Sequence, residues 1–283
     1  MGQKRPQRQC IFCGRKGVSK EHIYSQWIAP ILPAQKAAYY NEDKLTTIAK
    51  VVQLAPELRT RPGSVTTKKV RAACAACNNG WMSLNEEAAR PYLTPMIRGE
   101  PIALDSASQE IIARWIAMKI IVAEHAKPGL AVTPQTDRTA LMLKGTVPAY
   151  FNIYAAPHRA ESDVGFMRNA LTVSLDYSGP KPPLDGMPKN LQQATLLIGR
   201  LFIQVNAARL DDFSIEDRLI PILYSGIRIW PIERPAFNWS ETRTLTANDV
   251  FRISGALNAL VSHSQVKWGG MEVPASWDSG AEP

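Results

Sequence analysis

The clearest hydrophobic pattern in the chain lies between residues 106 and 126. Apolar residues recur there at intervals of three and four positions, which is the spacing of one buried face of an α-helix. The sequence Lys-Pro-Gly at 127–129 then provides a stop signal. The pattern therefore predicts a helix over 106–126. On its buried face we expect Ile112, Trp115, Met118 and Val122.

Beyond this helix, several short runs are rich in β-branched and aromatic residues, which favour strands. They predict an antiparallel sheet with strands at 149–155, 170–175, 194–205 and 226–230. Residues 246–262 predict a closing helix, because Thr246 and Asp249 have the spacing of a helix cap. The carboxy-terminal part of the chain is therefore predicted to be an α+β domain.

The amino-terminal part has shorter patterns. Residues 18–23 predict a strand, and 25–30 predict a short helix or turn. The β-branched runs at 44–54 and 64–71 are separated by turn-forming residues at 56–63, so they predict a basic β-hairpin.

A further helix is predicted to end at about residue 90, with a regular part that starts at Ser83, which has capping-box spacing to Glu86. Prolines and glycines at 91–101 follow and indicate a joint. The chain is therefore predicted to divide into two domains, 1–98 and 99–283.

All four cysteines fall into two C-x-x-C pairs, Cys10 with Cys13 and Cys74 with Cys77. Each pair directs two thiolates towards one point, so two pairs can complete a tetrahedral site for structural Zn²⁺. About sixty residues separate the pairs, so a long insertion must loop out between them. Four unrelated buried thiols, or two disulfides, are the alternatives.

Composition and charge narrow the class of protein. The 283 residues are 45% hydrophobic and 20% charged, which is typical of a globular chain. No apolar run approaches the ~18–20 residues that span a bilayer, and no apolar segment follows the basic amino terminus. We therefore expect no membrane contact and a cytoplasmic location, where thiols stay reduced and metal binding is favoured over disulfides.

A net charge of +8 suits a polyanionic partner, most simply nucleic acid. Positive residues are concentrated around the cysteine-containing segments. An ordinary solvated hairpin is the alternative explanation for them. The candidates for phosphate contact are Lys20, Arg61, Lys68, Lys69 and Arg71.

Candidate chemistry lies beside the cysteine pairs. Glu21 and His22 follow the first pair, and Asn78 directly follows the second. One zinc ion joining the pairs would bring all three together. A carboxylate and an amide oxygen suit Mg²⁺ or Mn²⁺, and an imidazole can act as a general base near neutral pH. This combination predicts phosphodiester hydrolysis, with the metal stabilising charge on the phosphate and on the leaving oxygen.

At these residues the chain resembles the zinc-containing HNH endonucleases. The resemblance covers roughly residues 8–90 and implies an amino-terminal treble-clef (ββα-metal) domain that cleaves DNA. It implies His22 as the general base, and Glu21 and Asn78 as ligands of the catalytic Mg²⁺ or Mn²⁺. Glu21 replaces the commoner Asp of the family, and Met82 stands where many members carry a further His.

A second hypothesis is a non-catalytic zinc module that binds nucleic acid or a protein partner. In that case Glu21 and His22 would only brace the hairpin. In the first hypothesis, the carboxy-terminal domain would position DNA or a partner.

Overall fold

The computed structural model describes residues 8–32, 39–42, 45–48, 51–54, 59–62, 65–159, 164–171, 189–209 and 226–254. Its strands are β1 (Lys20–His22), β2 (Tyr39–Glu42), β3 (Leu45–Ile48), β4 (Val51–Leu54), β5 (Arg59–Pro62), β6 (Lys69–Arg71), β7 (Ala103–Asp105), β8 (Phe151–Pro157), β9 (Val164–Leu171), β10 (Leu191–Ile198), β11 (Leu201–Ala208), β12 (Ile227–Trp230) and β13 (Ala236–Asn238). The α-helices are α1 (Ala75–Cys77), α2 (Ser83–Arg98), α3 (Ser106–Glu124), α4 (Gln135–Lys144) and α5 (Ala247–Ser254). Helices and antiparallel sheets together make this an α+β fold.

Helix α3 is the central helix, and it confirms the prediction made from its periodicity. Asp105 caps its first turn by accepting a hydrogen bond of 2.8 Å from the backbone N–H of Ser108. The four residues predicted to be buried, Ile112, Trp115, Met118 and Val122, are each at most 1% exposed. Residues on the other sides of the helix are also buried, so α3 lies inside the molecule rather than on its surface.

The five-stranded sheet has the order β12-β8-β11-β10-β9, and all its pairs are antiparallel, as predicted. The prediction of one strand over 194–205 was wrong. This segment belongs to a hairpin, in which β10 and β11 are joined through Gly199 and Arg200. Gly199 has a φ of +59°, which a residue without a Cβ adopts at little cost, and this allows the tight turn.

The pairing predicted between 44–54 and 64–71 was also wrong. Residues 44–54 contain a hairpin of their own, β3 with β4, and β2 pairs with β5 around it. Strand β6 instead pairs antiparallel with β1. Two runs of similar composition do not specify a partner by themselves, because pairing depends on the buried face that each strand shares with the rest of the core.

Helix α2 continues through Pro91 and Pro95 to Arg98, although a helix ending near residue 90 was predicted. Each internal proline removes a backbone hydrogen bond and costs about 3 kcal/mol or more. The helix is held by burial of Leu93, Met96 and Ile97, which are at most 2% exposed. It ends at Gly99, whose φ is +73°.

One hydrophobic cluster joins the described residues on both sides of position 98. It includes Phe12, Ile28 and Leu93 from the amino-terminal side, and residues of α3 and of the five-stranded sheet from the other. Backbone contacts also cross this position, since Arg200 donates a hydrogen bond of 2.7 Å to the carbonyl oxygen of Ile97. The amino-terminal elements are therefore supported directly by the rest of the chain.

The predicted cap of the last helix is confirmed. Thr246 and Asp249 exchange hydrogen bonds between their side chains and backbone N–H groups, and α5 begins directly after them. Residues 255–262 of the predicted helix, and 172–175 of a predicted strand, lie outside the described residues. Among the described residues, no helix combines the length and the apolar character needed to cross a membrane.

Candidate functional site

The four cysteines lie together. The first pair lies in a tight turn, in which Gly14 donates a backbone hydrogen bond of 2.9 Å to Cys10. The second pair encloses the first turn of α1, directly after β6. Their four Sγ atoms all lie within 4.8 Å of one another, and those of Cys13 and Cys74 are 3.6 Å apart. Residues 61 positions apart in the chain thus form one cluster.

This cluster fits a metal ion. Four sulfur ligands at ~2.3 Å from a tetrahedral zinc ion are ~3.8 Å from one another. The Cys13–Cys74 separation of 3.6 Å is close to this value, and no pair of the four is more than 4.8 Å apart. The cysteines form no disulfide, and three of the four are buried. The cluster could therefore hold a metal ion such as zinc.

The surroundings of Cys10 and Cys77 move the pKa values of these two thiols in opposite directions. Burial raises the pKa of Cys10, but nearby backbone N–H groups, led by those of Cys13 and Cys74, lower it to about 7. Burial raises the pKa of Cys77 far above its ordinary value of 9.0, and the neighbouring cysteines raise it further. A bound dication would favour the thiolate at every position, since a coordinating thiol loses its proton.

The turn that carries the first cysteine pair is anchored from two sides. Phe12 packs edge-to-face on Trp81, with ring centroids 4.8 Å apart, and so joins the turn to the segment before α2. The carbonyl oxygen of Phe12 accepts hydrogen bonds from Gln135 and Thr139 of α4, at 3.0 and 3.2 Å. The cysteine cluster is thus supported by a helix from the carboxy-terminal part of the chain.

Strands β1 and β6 place His22 among positive charges. In their antiparallel register Lys20 is opposite Arg71, and His22 is opposite Lys69. Because side chains alternate along a strand, these four residues share one face. The three basic residues are exposed and His22 is half-buried, while Glu21 and Val70 are buried on the opposite face. We call the antiparallel β1–β6 pair the hairpin, although a long insertion separates its two strands, and we call the face formed by Lys20, His22, Lys69 and Arg71 its outer face.

The His22 ring is held by Gln26, whose Nε2 atom lies 3.1 Å from Nδ1. Burial lowers the pKa of His22 below its ordinary value of 6.5. Lys69 and Lys119 lower it further, and Glu86 acts in the opposite direction. These surroundings therefore favour the neutral imidazole. When the Gln26 amide presents its oxygen to Nδ1–H, the Nε2 atom is left with a lone pair that can accept a proton.

Glu21 lies on the buried face of the hairpin and contacts a cation from α3. Its Oε1 atom is 2.7 Å from Nζ of Lys119, which is also 2.5 Å from Oε1 of Glu86 on α2. Lys119 Nζ donates a third hydrogen bond, of 3.1 Å, to the carbonyl oxygen of His22. Lys119 is 1% exposed and Glu21 is 5% exposed.

These contacts do not favour a divalent ion on Glu21. An ion bound to Oε1 at ~2.1 Å would be at most ~4.8 Å from Nζ, which lies 2.7 Å from that oxygen. At an effective dielectric constant of ~20, a dication and an ammonium at this distance repel each other by about 7 kcal/mol. The role of Glu21 as a metal ligand therefore stays a prediction, with Lys119 in competition for the same carboxylate.

The remaining predicted residues are Asn78, Lys68 and Arg61. Asn78 follows the second cysteine pair, is half-buried, and donates a backbone hydrogen bond of 2.9 Å to Cys74. The carbonyl oxygen of Lys68 accepts a bond of 3.1 Å from Ile23, next to the β1–β6 pair. Arg61 lies in β5.

The prediction from sequence missed Lys119 and Glu86 as members of this site. One signal for Lys119 was present: it lies four positions after Trp115 and three before Val122, among the buried positions of the predicted helix. A lysine at such a position is almost never fully buried without a partner. Glu86 gave no comparable signal, because its capping-box spacing to Ser83 offered a sufficient local explanation.

Comparison with family models, with curated proteins and with solved structures finds no match to this chain.

Proposed function

We propose that this protein is a zinc-stabilised endonuclease of the HNH type that hydrolyses phosphodiester bonds in DNA. The carrying observation is the position of His22: a half-buried imidazole on the face of the β1–β6 pair that also carries three exposed basic residues. The hairpin runs into the helix turn that carries two of the four clustered cysteines. The order of cysteine turn, β1, β6 and helix is the order expected of a treble-clef (ββα-metal) domain.

Zinc is the metal we assign to Cys10, Cys13, Cys74 and Cys77. Four thiolates in tetrahedral arrangement are typical of structural zinc, and they leave no open position for a substrate. Its role is to join the turn at 10–13 to α1, and so to fix the hairpin between them.

His22 is the proposed general base. With the Gln26 amide turned so that its oxygen accepts from Nδ1–H, Nε2 of His22 would take a proton from the attacking water. Lys20, Lys69 and Arg71 would bind phosphate oxygens on the same face and hold the DNA backbone near the imidazole. Because phosphate contacts carry little sequence information, we expect little preference for sequence from these residues.

The HNH resemblance also implies catalytic Mg²⁺ or Mn²⁺ held by Glu21 and Asn78. Such an ion would supply charge stabilisation at the phosphate. The Lys119 contact disfavours such an ion at Glu21, so cleavage is measured both with and without added metal.

The test measures cleavage of duplex, single-stranded and branched DNA by the zinc-loaded protein. Free EDTA is first washed out, and the reactions are then run without added metal and with Mg²⁺ or Mn²⁺. Three proteins are compared: wild type, His22→Ala, and His125→Ala as the matched control. His125 is also half-buried, but its Nδ1 is 2.9 Å from the carbonyl oxygen of Ile121 on α3. Loss of cutting in His22→Ala alone supports the proposal, and equal cutting by all three proteins refutes it.

A non-catalytic zinc module that binds nucleic acid is the second candidate. The observation that favours it is the buried Lys119–Glu21 pair, because a carboxylate engaged by a lysine braces the hairpin without any reaction. Retained DNA binding by wild type with no cleavage of any substrate, under every metal condition, would establish this candidate over the nuclease.

A further inference from the structure

Three oxygen atoms from two separate segments surround the ammonium group of Lys119. They are Oε1 of Glu21 and the carbonyl oxygen of His22 from β1, and Oε1 of Glu86 from α2. An ammonium group has three N–H donors, so this set satisfies all of them. The side chain of Lys119 is fully buried, and its stem comes from a helix that is otherwise apolar around it.

The same three oxygens are the kind of ligands that a hard divalent cation takes. Ca²⁺ and Mn²⁺ bind carboxylate and backbone carbonyl oxygens, Ca²⁺ at ~2.3–2.6 Å. The two carboxylates lie 2.5 and 2.7 Å from the same Nζ atom, so both face one point. The three oxygens thus form a cation site, and the cation in it is the ammonium group of Lys119.

We propose that Lys119 is a built-in replacement for a metal ion at Glu21, and that it is the positioning residue that joins the hairpin and α2 to α3. Two consequences follow. Wild type binds no divalent ion through Glu21, and loss of the lysine side chain converts the same oxygens into a divalent-ion site. The proposal rests on the nuclease function only where it concerns catalysis. Replacement of the Lys119 ammonium by a metal ion is measured through ion binding and protein stability.

An ordinary buried ion pair would behave differently. It would lose stability when Lys119 is removed, and no added ion would restore it. A site built around a cation regains stability when another cation of suitable chemistry enters. Rescue by metal therefore separates the proposal from a merely structural role.

The experiment measures the thermal midpoint of the full-length, zinc-loaded protein with and without Ca²⁺ or Mn²⁺. The variants are Lys119→Ala, which opens the site, and Lys119→Ala with Glu21→Gln and Glu86→Gln, which removes both carboxylates. We expect wild type to be unaffected by either ion, Lys119→Ala to have a lower midpoint that rises with added ion, and the triple variant to show no such rise. A Lys119→Ala protein that folds and gains nothing from either ion would overturn the proposal.

Wild type provides an independent test that does not depend on the folding of Lys119→Ala. Binding of Mn²⁺ to zinc-loaded wild type and to Glu21→Gln is followed by electron paramagnetic resonance. We expect no Mn²⁺ site that depends on Glu21. A wild-type Mn²⁺ site that disappears in Glu21→Gln would overturn the proposal, while leaving the nuclease function open to its own cleavage assay.

Discussion

Nζ of Lys119 lies 2.7 Å from Oε1 of Glu21, although the two residues are 98 positions apart and belong to opposite parts of the chain. The contact joins the central helix α3 to the short strand that carries His22. Glu21 and His22 are adjacent in sequence, but strand alternation directs one into the core and the other to the outer face. The sequence suggests Glu21 and His22 as one catalytic unit. In the structure Glu21 supports the fold, whereas His22 presents an accessible imidazole.

Zinc content is the first prediction. Purified protein should contain about one zinc per chain, because the four Sγ atoms form one cluster. Cys74→Ser should release the metal and unfold the cysteine turn, the hairpin and α1, since metal binding and folding are coupled in such sites. Elemental analysis and circular dichroism check this. Metal-free wild type that keeps its full structure would contradict it.

The titration of His22 is the second prediction. Its pKa should lie below 6.5, chiefly because of burial and then because of Lys69 and Lys119. Lys69→Gln should raise this pKa, whereas Lys144→Gln, on α4, should leave it unchanged. The folded state disfavours the protonated ring, so this residue should reduce stability as the pH falls below 6.5. Chemical shifts of the imidazole across the pH range measure the value, and a pKa at or above 6.5 would contradict the assignment.

The turn at Gly199 gives a prediction for the packing between α2 and the sheet. A Cβ atom added there would lie 2.4 Å from the carbonyl oxygen of Ile97, and the φ of +59° would be strained. Gly199→Ala should therefore destabilise the protein by about 2–4 kcal/mol. Gly129→Ala is the control, because its φ is not positive and nothing lies within 4 Å of the added Cβ. Denaturant unfolding should show a change of at most about 0.5 kcal/mol for the control.

The outer face of the hairpin predicts salt-sensitive DNA binding. Lys20→Ala with Arg71→Ala should weaken affinity for all sequences to a similar degree. If each residue contacts one phosphate, the slope of log affinity against log salt concentration should fall by about 0.9 per residue. Lys144→Ala with Arg252→Ala makes the same change in net charge outside the face and should have little effect. Equal losses in both double variants would mean that net charge, and not this face, drives binding.

Local patterns in the sequence were enough to predict the helix α3, its buried side and the cap of α5. The cysteine spacing likewise predicted the cluster, because the fold had only to bring two preformed turns together. The helix and the cap depend on residues close in sequence. The cluster depends on cysteine, a side chain with few alternative roles.

Features that depend on tertiary partners were not predicted. The pairing of β6 with β1 depends on which strand shares a buried face, and α2 passes two prolines because Leu93, Met96 and Ile97 are buried. The partners of Lys119 lie at 21 and 86, far from it in sequence. Periodicity places a lysine at a buried position, but only the fold determines which carboxylates meet it.

The rate of DNA cleavage by wild type and by His22→Ala tests the central claim most directly. Both proteins should be compared in single-turnover reactions at equal zinc content, on the DNA substrate that wild type cuts best. Loss of the general base should lower the rate by roughly 100- to 10,000-fold, while DNA affinity and zinc content stay the same. Equal rates for the two proteins, or no cleavage by wild type on any substrate, would contradict it.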